Sequence, residues 1–475
     1  MRGVTVAIAA VMLSALGAQA QTASPDDLAA RNIQRRAVEA MIWGMPAVNT
    51  DLMLQTMLTS TRAKPNEIVY WSKPVNWKNQ TLTPNPDSIY FMSFWNVKDG
   101  PIVVEIPPAE GGSIAGNIVT LWQMPLEDTG PEGADKGQGG KYLILPPGYK
   151  GEVPAGFIAL QSDVFSGFAL LRSNLASHSD ADVTKSVAYG KRIKVYPLAN
   201  AKEPPPTSFT DAYDVLFDST IPYDASFYRG LDRVVQNEPW LDRDRAMIDQ
   251  LATIGIVKGK PFNPDPNTVT LLDQAAREAH ALLARIYDAG FPVINPGIRW
   301  FPAAVPEMVK AASGGYGDPN AYPVDMRGVT YTLGYTGIKR LGTAQFYLMA
   351  NKDKDGRDFD GSGTYRLSVP ANAPVKQYWS ATVYDRETHA LVRNMPGASR
   401  ASISPGLQKN ADGSVDVYFG PRAPDGKEAN WVPTDPARKF ELLFRLYGPE
   451  KPLFDHSWKL PDVERVATTV GGATK

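Results

Sequence analysis

The stretch from Ser88 to Ile106, SIYFMSFWNVKDGPIVVEI, predicts two β-strands. Residues 88–95 and 102–106 are rich in β-branched and aromatic side chains, which favour strands. The intervening Lys98-Asp99-Gly100 is typical of a turn, because glycine adopts backbone conformations that other residues avoid. Similar apolar runs come later in the chain, and we therefore expect a first β-rich domain over residues 68–202. These runs are 118–122, 142–145, 156–161 and 168–171.

A second β-rich domain is expected over residues 331–475. Short apolar runs there alternate with loops of Gly, Pro, Asp and Asn, which is typical of an antiparallel sandwich or a jelly roll. We therefore expect a mainly β, α+β fold, with two antiparallel β-sandwich or jelly-roll-like domains and a helical segment between them. The runs are 346–350, 364–369, 378–384, 415–419 and 440–447.

Residues 203–330 are predicted to form the mainly helical connecting region. The clearest helical periodicity covers residues 268–287, with Asn267 as the expected N-cap. A helix is also predicted over residues 242–254, and a short one over residues 209–217. The two β-rich domains are therefore expected to be separate in sequence.

The N-terminus has the features of a cleavable secretory signal. Arg2 supplies a positive charge, residues 4–16 are apolar, and Ala18-Gln19-Ala20 matches a small-x-small cleavage site. An uncleaved membrane anchor is the alternative, but an apolar run of about 13 residues is too short to span a hydrocarbon core of ~30 Å. We expect residues 1–20 to be removed between Ala20 and Gln21, which leaves a periplasmic or secreted protein without membrane insertion.

The mature chain is expected to begin with a helical segment over residues 21–67. Apolar residues recur at helical spacing from Asp26 to Met41, after Ser24 as N-cap. Pro46 is expected to interrupt this helix, because proline lacks a backbone N–H and its ring clashes with the preceding turn.

Cysteine content and charge exclude several classes of function. The 475 residues include no cysteine, which excludes disulfides, thiol nucleophiles, thiolate metal sites and a lipid-modified cysteine. The 49 basic and 50 acidic residues give a net charge of −1, without a basic stripe. Nucleic-acid phosphates and anionic membranes both require such a stripe, so neither is expected as a partner.

Motifs of common enzyme classes are absent from the sequence. It contains no G-x-S-x-G elbow, Walker loop or H-E-x-x-H motif. None of the four histidines forms a pair with metal-ligand spacing. These observations predict no cofactor, and they leave open whether the protein is an enzyme.

The segment Thr83 to Tyr90, TPNPDSIY, is the most specific candidate site. Its two prolines fix the backbone, and Asn85, Asp87 and Tyr90 place polar groups at the start of a buried aromatic strand. One interpretation is an Asx turn, in which Asn85 and Asp87 bond their own backbone. The other is a ligand-binding cluster in which Asp87 is a catalytic acid or base.

The C-terminal segments RLYGP and FDHSW supply four further candidates. Arg445, Tyr447 and Trp458 are candidate ligand-binding residues. His456 is a candidate acid or base, because imidazole titrates near neutral pH. The alternatives are a packed or exposed His456 and an Arg445 that binds a structural carboxylate.

One acidic segment is a candidate calcium site. Asp353, Asp355, Asp358 and Asp360 surround a glycine and offer the oxygen ligands that calcium takes. Thr364 stands where an EF-hand would need its bidentate glutamate, and the same residues also suit a solvated hairpin loop. We therefore favour a loop without metal, with calcium binding as the alternative.

Long stretches of the chain resemble two bacterial families. Residues 81–108, residues 139–157 and Trp43 to Pro46 resemble domain of unknown function 1254, whereas residues 353–385 and 444–462 resemble domain of unknown function 1214. The resemblance implies an exported protein of two β-rich domains, with no established activity to transfer. It draws attention to Asn85, Asp87, Tyr90, Arg445, Tyr447, His456 and Trp458.

Two functions agree with these observations. The first is an exported protein that binds or processes a small polar or carbohydrate-like ligand, since aromatic residues stack on sugars and paired carboxylates cleave them. The second is a structural or interaction protein of the cell envelope, which acts as a homo-oligomer through its sheet surfaces. A pocket would favour the first function, and a closed oligomer without a pocket would favour the second.

Overall fold

The computed structural model describes residues 24–289, 291–334, 337–340, 342 and 344–466. The described residues form 21 β-strands and eight α-helices, so the expected mixed and mainly β fold is confirmed. The predicted secretory signal at residues 1–20 lies outside them. None of the described helices is long and apolar enough to cross a membrane.

The N-terminal half builds two sheets that share one hydrophobic cluster. A six-stranded sheet has the order β11-β1-β3-β9-β5-β6, and a four-stranded sheet has the order β10-β4-β7-β8. Phe91 and Ala169 of the first sheet pack with Val104 and Tyr142 of the second. The strands are β1 (Ile68–Tyr70), β2 (Asn79–Gln80), β3 (Ser88–Asn96), β4 (Ile102–Ile106), β5 (Ile114–Thr120), β6 (Pro125–Thr129), β7 (Gly140–Leu145), β8 (Phe157–Gln161), β9 (Ser166–Asn174), β10 (Lys194–Pro197), β11 (Phe209–Asp211) and β12 (Phe217–Asp218).

The C-terminal half repeats this arrangement. A five-stranded sheet has the order β13-β14-β20-β16-β17, and a four-stranded sheet has the order β19-β18-β15-β21. Ala381 and Phe444 of the first sheet pack with Leu367 and Val417 of the second. The strands are β13 (Phe301–Pro302), β14 (Gln345–Ala350), β15 (Thr364–Val369), β16 (Trp379–Asp385), β17 (Ser399–Ala401), β18 (Val415–Gly420), β19 (Trp431–Pro433), β20 (Phe440–Tyr447) and β21 (Glu464–Val466).

The helices pack together and against both halves. Helix α1 contacts α3, α5 and α7, and these helices share a hydrophobic cluster with Met92 and Leu170 of the first half and Met349 and Leu443 of the second. Each half therefore turns one sheet face toward its own partner sheet and the other face toward the helices. The helices are α1 (Pro25–Thr56), α2 (Asp180–Gly190), α3 (Ser226–Asn237), α4 (Met247–Thr253), α5 (Pro266–Ala289), α6 (Pro306–Ser313), α7 (Val324–Thr332) and α8 (Lys451–Phe454).

Most strand pairs are antiparallel, as expected, but parallel pairs occur in both halves. Strand β11 pairs with β1, β8 with β7 and β19 with β18 in the parallel direction. The antiparallel description is therefore incomplete. A sandwich or jelly-roll topology, like the expected domain boundaries, stays a prediction.

Three local predictions are wrong. Helix α1 continues through Pro46, where helix packing on both sides outweighs the lost hydrogen bond. Residues 209–217 contain strand β11 rather than a helix, because Phe209–Asp211 adds to the edge of β1. Helix α5 begins at Pro266, and Asp265 rather than Asn267 accepts hydrogen bonds from its first turn.

Candidate functional site

The loop from Thr83 to Asp87 joins the two halves of the molecule. The side-chain Nδ2 of Asn85 donates to the hydroxyl of Tyr378 at 3.1 Å and to the hydroxyl of Tyr447 at 2.9 Å. The backbone N–H of Asn85 donates to the hydroxyl of Tyr90 at 2.8 Å. The Asx turn expected from the sequence is also present, since Asn85 Oδ1 accepts from the N–H of Asp87 at 3.0 Å. One amide side chain therefore bonds both its own turn and the facing sheet.

Strand β20 places Arg445 against this loop. Its Nη2 donates to the carbonyl of Thr83 at 2.8 Å and to the hydroxyl of Tyr384 at 2.6 Å, while Nη1 donates to Thr382 Oγ1 at 3.0 Å. The Tyr384 hydroxyl in turn donates to the carbonyl of Pro84 at 2.6 Å. Arg445 Nε is buried without a hydrogen-bond partner among the described residues. No carboxylate among the described residues forms an ion pair with Arg445. The structure therefore does not show the alternative in which Arg445 binds a structural carboxylate.

Strand β9 contributes a second buried arginine, Arg172, which is only 5% exposed. Its Nε and Nη1 have no hydrogen-bond partner in the part of the chain that the structure describes, and no carboxylate there forms an ion pair with it. Tyr90 is its direct neighbour on β3, with the guanidinium carbon 5.5 Å from the centre of the Tyr90 ring. Arg172 therefore has cation–π contact but no counter-charge.

The alternation of strand residues explains why these groups meet. Successive side chains of a strand point to opposite faces. Ala169 and Leu171 pack inside the N-terminal pair of sheets, so Leu170 and Arg172 point away from it. Strand β20 has the same pattern, in which Phe444 is packed between its sheets and Arg445 points outward.

The two arginines border one internal cavity of about 90 Å³ between the halves. Tyr90 and Tyr347 stand beside Arg172 and Arg445, because each tyrosine is directly paired with one of these arginines across its sheet. No carboxylate or histidine is among the described residues that line the cavity. Its remaining walls are mostly apolar and include Met53, Leu82, Met92, Phe168, Leu170, Ala304, Leu333, Phe346, Met349 and Leu443.

Burial raises the pKa of the tyrosines that bond the Thr83–Asp87 loop from strands β16 and β20 and from residue 378. Burial first, and then the nearby hydroxyls of Tyr347 and Tyr378, raise the pKa of Tyr447 well above its usual range. Because arginine stays protonated in proteins, Arg172 and Arg445 give the site two permanent positive charges.

Asp87 lies behind the cavity wall rather than in it. Its Oδ2 accepts from Ser399 Oγ at 2.7 Å, and its carbonyl accepts from the Tyr378 hydroxyl at 3.1 Å. His178 Nε2 is 3.3 Å from Asp87 Oδ1, without the geometry of a hydrogen bond. Asp87 is thus in a position to join the halves, and its predicted acid–base role is not available inside this cavity.

Three other predicted features lie away from the cavity. Exposed His456 is in a tight turn beside Asp455, and Trp458 stacks on Phe444 with ring centres 6.4 Å apart. The carboxylate of Asp353 accepts hydrogen bonds from the backbone N–H groups of Asp355 and Arg357. Asp358 forms an ion pair with Lys439, and the carboxylate of Asp360 accepts a hydrogen bond from the backbone N–H of Ser362. No group of three or more His, Asp or Glu in the described ranges is arranged to hold a metal ion. Calcium binding at this loop stays a prediction.

Arg172 was not among the residues predicted from the sequence, although a signal was present. The run Phe168 to Leu171 is apolar, and Arg172 directly follows it within a strand that continues to Asn174. Charged side chains are rarely buried without a partner. A charged residue inside a strongly apolar strand therefore marks a functional candidate.

Comparisons with known proteins support the expected families. The family described as Protein of unknown function (DUF1254) matches residues 65–197, and Protein of unknown function (DUF1214) matches residues 344–451. No curated protein sequence matches the chain.

Two crystal structures align with 92% of this chain. The VPA0106 protein from Vibrio parahaemolyticus is 18% identical with a TM-score of 0.57, over 92% of this chain and 100% of that one. An uncharacterised protein from Burkholderia cenocepacia is 12% identical with a TM-score of 0.40, over 92% of this chain and 95% of that one. At such identities, the first likeness indicates a shared fold only.

Proposed function

We propose that this protein, which carries the DUF1254 and DUF1214 family domains in one chain, binds a small organic carboxylate between its two halves. The observation that carries the proposal is Arg172, a buried guanidinium with neither a carboxylate partner nor a hydrogen bond at Nε and Nη1 among the described residues. An anionic ligand in the adjacent cavity would supply both the negative charge and the hydrogen-bond acceptors that Arg172 lacks.

A buried charge without a partner is energetically costly. Removing an ion from water costs several kcal/mol even after the protein relaxes, and a cation–π contact returns only about 0.5–2 kcal/mol. Arg445 adds a second positive charge with an unbonded Nε. A carboxylate matches the planar fork of arginine and forms its strongest hydrogen bonds.

The size and lining of the cavity restrict the ligand further. A cavity of about 150 Å³ holds benzene, so a space of about 90 Å³ suits a carboxylate with a short chain. Side chains such as Met53, Phe168 and Leu443 offer contacts to methylene groups rather than to hydroxyls. The paired carboxylates of glycoside cleavage are absent from the described lining, whose other polar side chains are the amides and hydroxyls of Asn49, Thr81, Thr83, Asn117, Gln123 and Gln345.

Calorimetric titration tests the proposal with butyrate as ligand and butyramide, its uncharged isostere, as control. We expect heat of binding from butyrate and none from butyramide, with acetate and benzoate defining the size limit. Arg172→Met should abolish butyrate binding. Equal binding of butyramide, or undiminished butyrate binding by Arg172→Met, would refute the proposal.

The matched control is Arg327→Met. Arg327 is also buried and its Nε likewise lacks a partner among the described residues, but its Nη2 donates to the Trp43 carbonyl at 2.7 Å and its Nη1 to the Tyr322 hydroxyl, and it does not line the cavity. We expect this variant, where it folds, to bind butyrate like the native protein. A loss of binding in both variants would show that Arg172 acts through the fold rather than through the ligand.

Export would place this binding outside the cytoplasm. The signal features of residues 1–20 support it. Mass spectrometry of protein recovered from the periplasm or medium should give a chain that begins at Gln21. An intact Met1 in the recovered protein would contradict cleavage.

A further inference from the structure

A second cavity lies beside the first and contains two histidines. It measures about 370 Å³, and His280, His389, Tyr223 and Tyr287 are part of its lining. Thr332 lines this histidine cleft, whereas the next residue, Leu333, lines the arginine cavity. The histidine cleft is thus a separate space, and its chemistry does not depend on carboxylate binding at Arg172.

A fully buried glutamate orients His389 within the cleft. Glu441 is 0% exposed, and its Oε1 lies 2.7 Å from His389 Nδ1. Its Oε2 accepts from the Tyr287 hydroxyl at 2.8 Å and lies 3.6 Å from Arg386 Nη1. Because both carboxylate oxygens are engaged, the anion is fixed in place, and it selects the tautomer with the proton on Nδ1.

The other ring nitrogen of His389 is left free for chemistry. His389 Nε2 makes no hydrogen bond to any residue that the structure describes, while the ring lines the cleft. The backbone holds the ring firmly, since the N–H of His389 donates to the carbonyl of Asp385 and its carbonyl accepts from the N–H of Thr83 at 2.7 Å. A carboxylate on Nδ1 and a free Nε2 are the arrangement of a histidine general base.

The charges of the cleft restrict what it binds. Each arginine and lysine of its lining already has a carboxylate partner, so none remains to hold an anion. The nucleophile is also restricted, because the lining contains no serine and the Thr332 hydroxyl donates to a carbonyl of its own helix. The ion pairs are Arg386–Asp288, Arg438–Asp385 and Lys439–Asp358.

We infer that His389, oriented by Glu441, is a general base that activates water for the hydrolysis of an uncharged carboxylic ester in the histidine cleft. Nε2 takes a proton from water as the water oxygen forms a bond to the ester carbonyl carbon. The tetrahedral intermediate then breaks the bond to the leaving oxygen, which receives the proton from Nε2. Ester and water become acid and alcohol, without a redox change.

The neighbouring imidazole, His280, is a less suitable base. It stacks on Tyr223 with ring centres 3.6 Å apart, and no carboxylate in the described part of the chain bonds its ring nitrogens. Burial, and then the proximity of His389, lower its pKa. It therefore stays neutral and forms part of the cleft wall.

Hydrolysis of p-nitrophenyl acetate tests the inference on the full chain. We expect a rate above that of buffer alone, and His389→Gln should lower it about 100-fold, within the usual range for loss of a general base. His456→Gln is the matched control, because His456 also has a positive φ (62° against 55° for His389) but is exposed and does not line the cleft. This control should keep the native rate.

Glu441→Gln separates orientation from simple packing. It keeps the size of the side chain but removes its charge, so we expect kcat to fall while KM stays unchanged. If His389→Gln fails to fold, diethyl pyrocarbonate on the native protein replaces it, and hydrolysis should decline in step with modification of His389. No hydrolysis above buffer, or a rate that survives loss of His389, would overturn the inference.

Discussion

The side-chain amide of Asn85 donates a 2.9 Å hydrogen bond to the hydroxyl of Tyr447, 362 residues further along the chain. Asn85 belongs to the region matched by DUF1254 and Tyr447 to the region matched by DUF1214. The bond therefore crosses between the two family domains. Because Arg172 comes from the first and Arg445 from the second, neither domain alone forms the arginine cavity.

The Asn85 amide should contribute directly to stability. Asn85→Ala removes two buried hydrogen bonds, to the hydroxyls of Tyr378 and Tyr447, and a buried polar group that loses its partner costs about 1–3 kcal/mol. We expect the urea midpoint to fall accordingly, with an unchanged m-value. An unaltered midpoint would mean that water replaces the amide at no cost.

Arg172→Met should stabilise the ligand-free protein. The change removes an uncompensated buried charge and fills its place with an apolar side chain of similar length, and even the replacement of buried ion pairs by apolar residues has stabilised proteins by about 1–4 kcal/mol. Thermal unfolding without ligand should therefore shift upward. If Arg172 had a structural role, the melting temperature of the variant would instead decrease.

Arg327→Met is the control for the gain in stability that we expect from Arg172→Met. Its loss removes the hydrogen bonds to the Trp43 carbonyl and the Tyr322 hydroxyl, and we expect a decrease of about 1–3 kcal/mol in the free energy of unfolding. Similar shifts in both variants would remove the distinction between Arg172, whose Nε and Nη1 lack a hydrogen bond, and Arg327, which lacks one only at Nε among the described residues.

Gly334 fixes the spacing of the cavity wall. A Cβ at this position would lie 2.6 Å from Leu82 Cβ and 2.7 Å from Thr83 Oγ1, with φ at +95°. Gly334→Ala should therefore displace the Thr83 loop and weaken butyrate binding, besides lowering stability. Gly259→Ala controls for the backbone cost alone, because Gly259 has φ +80° and nothing within 4 Å of its Cβ position.

The expected order is a larger loss of stability for Gly334→Ala than for Gly259→Ala, with binding impaired in the first variant only. Differential scanning calorimetry and the butyrate titration measure the two effects. Equal losses of stability would show that the wall relaxes without strain.

His280 should make stability depend on pH in the acid range. Burial, and then His389, lower its pKa in the folded protein below 6.5, the ordinary value. The unfolded chain then binds the proton more readily, so the contribution is complete above pH 6.5 and is lost as the pH falls through the folded pKa. Melting temperatures at pH 7.5 and 5.5 should differ less in His280→Gln than in the native protein. An equal difference would place the acid sensitivity elsewhere.

The sequence by itself determined the local elements and part of the site. Runs of β-branched and aromatic residues predicted β3, β4 and β20, because these side chains are enriched in strands. The TPNPD segment and the RLY segment both drew attention as candidates, and the structure brings Asn85, Tyr90, Arg445 and Tyr447 together. Pro46 and residues 209–217 were assigned wrongly, because tertiary packing outweighed the local preference there.

Only the tertiary structure decided which polar groups face a cavity and which have partners. Asp87 was a stronger candidate than Arg172 in the sequence, yet Asp87 is bonded behind the wall and Arg172 is left without a counter-charge. The pairing of Glu441 with His389 was likewise invisible, since 52 residues separate them. The hydrogen bonds and burial of a side chain depend on which faces of distant strands pack together. Spacing along the sequence determines which face of its strand a residue occupies, but it does not determine which residues pack against that face.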